Sequence, residues 1–257
     1  MRAALACLIL SLIACSSKKE EAKPGGPVTI RVAAASDLAK AFADVGAAYE
    51  KESGNKLSFD FGSSGLLAKQ IEQGAPFQLY AAANKAFAEQ VVKAGKCDAS
   101  TLALYSRGRV VLWSKNGAPA KLEDLADPKY ARIGIANPDH APYGKAAKQA
   151  MEKAGIYDKV KDRLVLAENV QAAMTYAKEG SVDVAFAALS LAIASDAKGY
   201  LSIEPDLHEP LEQTLVVCGK GAETEAARGF AKFVLGDKGR GIMERFGFST
   251  TGVVPQP

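Results

Sequence analysis

Phe61-Gly-Ser-Ser64-Gly-Leu-Leu-Ala-Lys-Gln-Ile71 holds the handover from strand to helix on which the fold class turns. Before it, Leu57, Phe59 and Phe61 alternate with polar residues, the two-residue period of a strand. After it, Leu67 and Ile71 stand one helical turn apart. Between them Gly62-Ser-Ser-Gly65 leaves no room for a longer loop. Such a corner puts the free N–H groups and the positive dipole end of a helix just beyond the carboxyl end of a strand. In open parallel sheets, ligands bind at that edge.

The same grammar extends in both directions. Upstream, Val28 to Ala35 is an apolar run of strand length, and Ser36-Asp37 opens a helix. Leu38, Ala41, Phe42, Val45 and Tyr49 fall on one face of that helix. Downstream, Leu79 to Ala83 is a strand and Asn84 a cap for the helix after it. Arg109 to Trp113 and Ile133 to Ala136 read as strands, with Asn137 to Gly144 a turn into a helix over Lys145 to Lys153. Leu164 to Leu166 passes through Ala167-Glu168-Asn169 into a helix from Val170 to about Lys178. Val182 to Ala187 and Leu215 to Val217 are further strands, and helices over Glu223 to Leu235 and Gly239 to Arg245 close the chain. Strands separated by helices of this length predict an α/β fold with parallel sheets.

Four of these junctions, Ser36, Ser64, Tyr143-Gly144 and Asn169-Val170, bring a helix N-terminus to a strand end. Any one serine or asparagine there reads equally well as a plain helix cap. Several converging together make an anion site. Neither Arg nor Lys falls within Ala33 to Ser36, Gly62 to Gly65 or Glu168 to Val170, and Lys145 is the nearest cation to its corner. A fully ionised oxyanion needs only donors. Each charge-assisted bond contributes roughly 1.5–3 kcal/mol, so a tetrahedral dianion is held tightly without a counter-ion.

Composition narrows the classes further. At 257 residues the chain sits between one large domain and two small ones. Its 32 Lys+Arg against 29 Asp+Glu, a net +3, lack the basic surplus of a nucleic-acid binder. Only 2 His and 4 Cys are present, far apart, which excludes a zinc site. No Gly-x-Ser-x-Gly elbow, dinucleotide fingerprint or P-loop occurs, and His140 and His208 leave a general base scarce; His140 reads as structural. An enzyme is not expected.

The first 14 residues read as an export signal, with Arg2 ahead of the apolar run Ala3 to Ala14. Leu12-Ile13-Ala14-Cys15 resembles a bacterial lipobox, which implies cleavage before Cys15 and lipidation of its sulfur. Residues 15–27 are polar and rich in Pro and Gly, a flexible tether. Cys97 and Cys218 could pair in an oxidising compartment, but nothing in the sequence brings them together, and Cys218, inside the apolar run ending Leu215-Val-Val-Cys218, is expected rather to be a buried thiol.

Taken together, Val32-Ala-Ala-Ala-Ser36-Asp-Leu38, Phe61 to Ile71 with Gly74-Ala75-Pro76, Asn137-Pro-Asp-His-Ala-Pro-Tyr-Gly144, Leu164-Val-Leu-Ala-Glu-Asn-Val170 and Arg245-Phe-Gly-Phe248 resemble the periplasmic molybdate-binding proteins, the solute-binding components of molybdate ABC transporters. The similarity runs from about residue 29 to 250. It implies a type II periplasmic-binding-protein fold, two α/β lobes each with a mostly parallel sheet, closing on the anion in the cleft. Lobe I would be residues 28–107 plus 208–257 and lobe II residues 108–207. Ser36 and Ser64 would donate hydroxyl and backbone N–H, and Tyr143 and Val170 their backbone N–H, with Asp37, Ser63 and Ser190 as further candidates. The ligand would be molybdate or tungstate, with molybdenum held as its oxyanion, no bare metal cation and no cofactor. Partners would be the membrane permease and, through the lipid on Cys15, a membrane surface facing the periplasm in a Gram-negative host; a monomer without nucleic acid is expected.

Two departures stand out. Many members of that family place a tyrosine hydroxyl on the ligand where this chain has Ala188, and Tyr143 is positioned to supply a substitute hydroxyl. Gln78 replaces a usual acidic residue and reads as structural. Another tetrahedral oxyanion, sulfate or phosphate, is the alternative ligand; a protonated phosphate would need an acceptor, for which Asp37 is available.

Overall fold

The computed structural model describes residues 26–197 and 199–250. The expected signal, Cys15 and most of the tether lie outside them. Among the described residues no helix is long and apolar enough to cross a membrane.

The chain opens with β1 (Thr29–Ala35), a 3-10 turn over Ser36–Leu38, and α1 (Ala39–Ser53). Then come β2 (Lys56–Gly62), α2 (Ser64–Glu72), β3 (Leu79–Ala82), α3 (Lys85–Lys93), β4 (Ala103–Gly108) and β5 (Val110–Trp113). Next are β6 (Ile133–Ala136), α4 (Pro142–Lys153), α5 (Tyr157–Val160), β7 (Leu164–Ala167), α6 (Val170–Glu179), β8 (Val184–Ala188) and α7 (Leu189–Ala194). The chain ends through β9 (Leu201–Ser202), β10 (Leu211–Val217), α8 (Ala222–Leu235) and α9 (Asp237–Arg245).

Two five-stranded sheets result, in the orders β2-β1-β3-β10-β4 and β7-β6-β8-β5-β9. In each, the strands that feed the junction helices run parallel: β1 with β2 and β3, and β6 with β7 and β8. The returning strands are antiparallel, β10 to β3 and β4, and β5 to β8 and β9. The chain crosses from one sheet to the other between β4 and β5 and returns between β9 and β10.

The predicted face of α1 is the buried one: Ala41, Phe42, Val45 and Tyr49 are all at or below 6% exposure. Phe42 is the pivot of that layer. Its ring lies about 6 Å from those of Phe59, Tyr105 and Phe230, so β2, β4 and α8 meet on one side chain. Asn84 caps α3 as expected, accepting from Phe87 N. Gln78 is structural: its Oε1 accepts from Arg31 N at 2.7 Å and its Nε2 donates to Pro76 O.

Two expectations need correcting. The fourth helix begins at Pro142, not Lys145, because proline at the first position is already set to helical φ and lacks only an N–H the helix does not use. Cys218 is buried but is no free thiol. It stands opposite Cys97 in an antiparallel bridge and the two form a disulfide, tying the loop after α3 to the end of β10.

Candidate functional site

Strand register brings the junctions to one level. Ala35 pairs with Gly62 at the ends of β1 and β2, so Ser36 and Ser63-Ser64 leave the first sheet side by side. Ala136 pairs with Ala167 at the ends of β6 and β7, so the segments entering α4 and α6 leave the second sheet together. The two sheet edges face each other across a small cavity of about 10 Å³. Its walls are Ala35 to Asp37, Gly62 to Ser64, Ala83, Ala141 to Tyr143, and Asn169-Val170. Pockets for organic ligands run to roughly 300–1,000 Å³. This one suits a compact inorganic ion.

Each wall offers donors for a local reason. Ser64 is the first residue of α2, where N–H groups have no partner inside the helix. Its Oγ accepts from Ala83 N at 3.1 Å, which leaves the hydroxyl proton free to donate, while its carbonyl accepts from Tyr80 Oη at 2.6 Å. Burial raises the Tyr80 hydroxyl pKa, so that donor stays protonated. In α4, Pro142 has no N–H, and Tyr143 contributes the first one. Gly144 allows that helix to sit against β6: a Cβ there would come within 2.0 Å of Ala136 O. In α6, the Asn169 side chain satisfies Ala172 N at 3.0 Å, leaving Val170 N–H unclaimed at the helix start.

Ser36, Ser64, Tyr143, Val170, Asp37 and Ser63 therefore line one cavity, although Ser36 and Val170 are 134 positions apart in the chain. Ser190 does not line it. Its hydroxyl donates to Asp37 O at 2.7 Å from behind. Ser63 lines the cavity, but its hydroxyl is turned across the cleft, donating to His140 O at 2.5 Å and lying 2.8 Å from Nδ1. Gly65 N donates to the same carbonyl at 2.8 Å, so His140 fastens the second sheet's edge to the first.

Tyr143 needs a further correction. Its hydroxyl does not take the place of the tyrosine absent at Ala188; it donates to Asp37 Oδ2 at 3.0 Å, joining the two edges a second time. Gln213 Nε2 donates to the same oxygen at 2.7 Å. Burial is the main cause raising Asp37 to about 7, against the lowering effect of these two donors. Gln213 was missed in the sequence, where it stands between Glu212 and Thr214 at the polar start of β10 and carries no distinguishing signal.

No lysine, arginine or histidine lines the cavity. Lys145, the nearest cation by sequence, is held away by Glu209 at 2.7 Å. Among the described residues no group of three His, Cys, Asp or Glu is placed to hold a metal ion. What the arrangement offers a ligand is neutral N–H and O–H donors.

Residues 30–249 match the family model described as bacterial extracellular solute-binding protein. The chain is 30% identical over 246 residues to the molybdate-binding protein ModA of Azotobacter vinelandii, covering 92% of this chain and 93% of the relative. It is 29% identical over 232 residues to ModA of Rhodobacter capsulatus, covering 89% and 91%. The solved structure of the Azotobacter vinelandii periplasmic molybdate-binding protein superposes with a TM-score of 0.81 at 28% identity, over 88% of this chain and all of that one.

Proposed function

The chain belongs to the bacterial extracellular solute-binding proteins, and from that premise we propose that it captures molybdate, and also tungstate, for delivery to the permease of an ABC importer. As a member of that family it is a transport component working outside the cytoplasm, not an enzyme. One observation carries the choice of ligand class: a cavity of only about 10 Å³ at which four helix starts converge with Ser36 and Ser64, with no cation among the residues lining it. A tetrahedral dianion satisfies such a ring of donors, and an organic solute does not fit.

In this proposal residues 28–107 with 208–257 form lobe I and residues 108–207 lobe II, hinged at the two crossings. Ser36 and Ser64 donate hydroxyl and backbone N–H, and Tyr143 and Val170 donate backbone N–H. The metal arrives as its oxyanion, so the protein's partners are oxygen atoms, and no side chain ligates molybdenum. The lipobox ending at Cys15 supports a lipid anchor, which confines the search for permease to a membrane surface.

The test is an anion panel by calorimetric titration and thermal denaturation of the purified protein. Molybdate and tungstate are expected to bind and to raise the melting temperature, while sulfate and phosphate at equal concentration do little. Absence of heat and of thermal shift with both metal oxyanions refutes the proposal; a larger response to sulfate or phosphate moves the ligand to that alternative.

A further inference from the structure

The cavity built for an anion contains a carboxyl. Asp37 lines it with no exposure to solvent. Its Oδ2 receives two donors, Tyr143 Oη and Gln213 Nε2, whereas Oδ1 is buried with no hydrogen-bond partner among the described residues. Gln213 Oε1 is in the same condition, as are Tyr105 Oη and Ser106 Oγ. Gln213 pairs with Ser106 across β10 and β4, which puts these two side chains on one face of the sheet, where Gln213 reaches Asp37. An ionised Asp37 leaves Oδ1 as a buried carboxylate oxygen without a donor on the wall of an anion cavity. A proton on Oδ1 removes that uncompensated charge.

Charge points the same way. The 3-10 turn carrying Asp37 is packed by α1, α6, α7 and β2. Every charged side chain on α1, α6 and β2 is exposed, except the half-buried Glu50 at the far end of α1, and α7 has none. From β4 and α4 the titratable neighbours are Tyr105 and Tyr143, whose hydroxyls burial pushes upward and keeps neutral. Nothing cationic offsets a dianion beside a buried carboxylate, and like charges in a desolvated site repel strongly.

We propose that Asp37 carries a proton in the closed, anion-bound protein, so that capture of a tetrahedral dianion is coupled to uptake of one proton from solvent. The inference rests on the proposed anion reading of this cavity. In the open cleft, with lobe II withdrawn and Tyr143 with it, water reaches the carboxyl and it ionises in the ordinary carboxylate range. The open protein with Asp37 as carboxylate, one dianion and one proton then give the closed complex with Asp37 neutral. The local charge becomes −2 instead of −3, and no other reactant is needed. The rise of Asp37 to about 7, driven by burial against the lowering effect of its donors and before any anion enters, agrees with this.

The experiment is titration of the purified protein with sodium molybdate at several pH values from 6 to 8, in two phosphate-free buffers of low and high ionisation enthalpy. The expected result is a binding enthalpy that depends on the buffer by up to one proton per anion. Affinity is expected to weaken with rising pH by as much as tenfold per unit. Asp37→Asn should abolish both the buffer dependence and the slope. Equal enthalpies in the two buffers with the unaltered protein overturn the inference while leaving the anion reading intact. A slope that persists in Asp37→Asn overturns it too, because the proton then resides elsewhere. Absence of any heat with molybdate overturns the anion reading and this inference with it. The buffer comparison uses the unaltered protein and stands even if the variant fails to fold.

Discussion

Replacing Gly65 by alanine should weaken anion binding without weakening the fold. Gly65 is the second residue of α2, and a Cβ built on it lies 2.8 Å from His140 O, 2.9 Å from His140 Cβ and 2.9 Å from Phe87 Cζ. Ordinary carbon contacts begin near ~3.5 Å, so the methyl intrudes by more than about half an ångström on a backbone oxygen. Phe87 is the far end of a side chain on α3, in the same sheet, and yields easily. His140 is fixed in the turn between β6 and α4, on the opposing sheet. The clash therefore exists only when the two edges meet. It also strains the 2.8 Å bond from Gly65 N to His140 O.

Overpacking of this kind costs about 1–3 kcal/mol. Charged to the closed state alone, that is a loss of about 5- to 150-fold in affinity. The open protein bears little of it and gains slightly, since alanine is favoured over glycine in a helix by roughly 0.8–1 kcal/mol. Molybdate titration should show the weaker binding, with tungstate weakened by the same factor because the clash does not involve the ion. Urea denaturation without anion should show an unchanged or higher midpoint. Binding within twofold of the unaltered protein would refute the reasoning, since His140 would then move aside at no cost. A lowered midpoint without anion would refute it as well, by placing the clash in the open form.

Three further outcomes follow from neighbouring contacts. Ser64→Ala should lower molybdate affinity by about 1–3 kcal/mol by calorimetry and also destabilise the fold, because Ala83 N–H loses its acceptor; unchanged affinity would leave Ser64 as a brace alone. Tyr143→Phe removes a donor that lowers the Asp37 pKa, so the carboxyl holds its proton to higher pH and the decline of affinity with pH should move upward. A titration series across pH 6 to 9 reads that midpoint, and a downward movement would contradict it. Reduction of Cys97–Cys218, 121 positions apart, should cost up to about 4–5 kcal/mol in urea denaturation. Affinity should hold, because Val217 pairs with Leu79 at the end of β3 away from the cavity; an unchanged midpoint would mean the thiols do not pair.

The parts of the site visible in the sequence were those encoded locally. A strand ending in Gly62-Ser-Ser-Gly65 and a helix starting at Ser64 lie within a few residues, and Asn169 betrays the start of α6 by its capping chemistry. The start of α4 was equally local, and Pro142 marked it. Convergence of these corners depended on register between β1 and β2 and between β6 and β7, which the resemblance to a family supplied and residue spacing did not. The Asp37 contacts were out of reach, since Tyr143 and Gln213 approach it from 106 and 176 positions away. The disulfide was hidden for the same reason, and the apolar company of Cys218 pointed to a buried thiol. Ser106 and Gln213 stand beside Arg107 and Glu212 in their strands, so nothing in the pattern marks them as buried.

A cavity lined by neutral donors imposes a stricter demand on its ion than one lined by lysine or arginine. A cation attracts any anion over several ångströms, closed cleft or open. Backbone N–H and serine O–H groups contribute only at hydrogen-bond distance, and each one left unmet in a closed cavity costs about 1–3 kcal/mol. Sulfate, smaller than molybdate, would leave longer, weaker bonds in a cavity sized for molybdate, and two donors left unmet remove roughly thirtyfold or more in affinity. Phosphate near neutral pH brings a proton that needs an acceptor. The one side-chain carboxyl on the wall is Asp37, which has given Oδ2 to Tyr143 and Gln213 and, once protonated, has no charge to offer. Asp37→Asn should therefore leave phosphate binding as weak as in the unaltered protein. A gain in phosphate affinity in that variant would show that the carboxylate, and not the absence of an acceptor, keeps phosphate out.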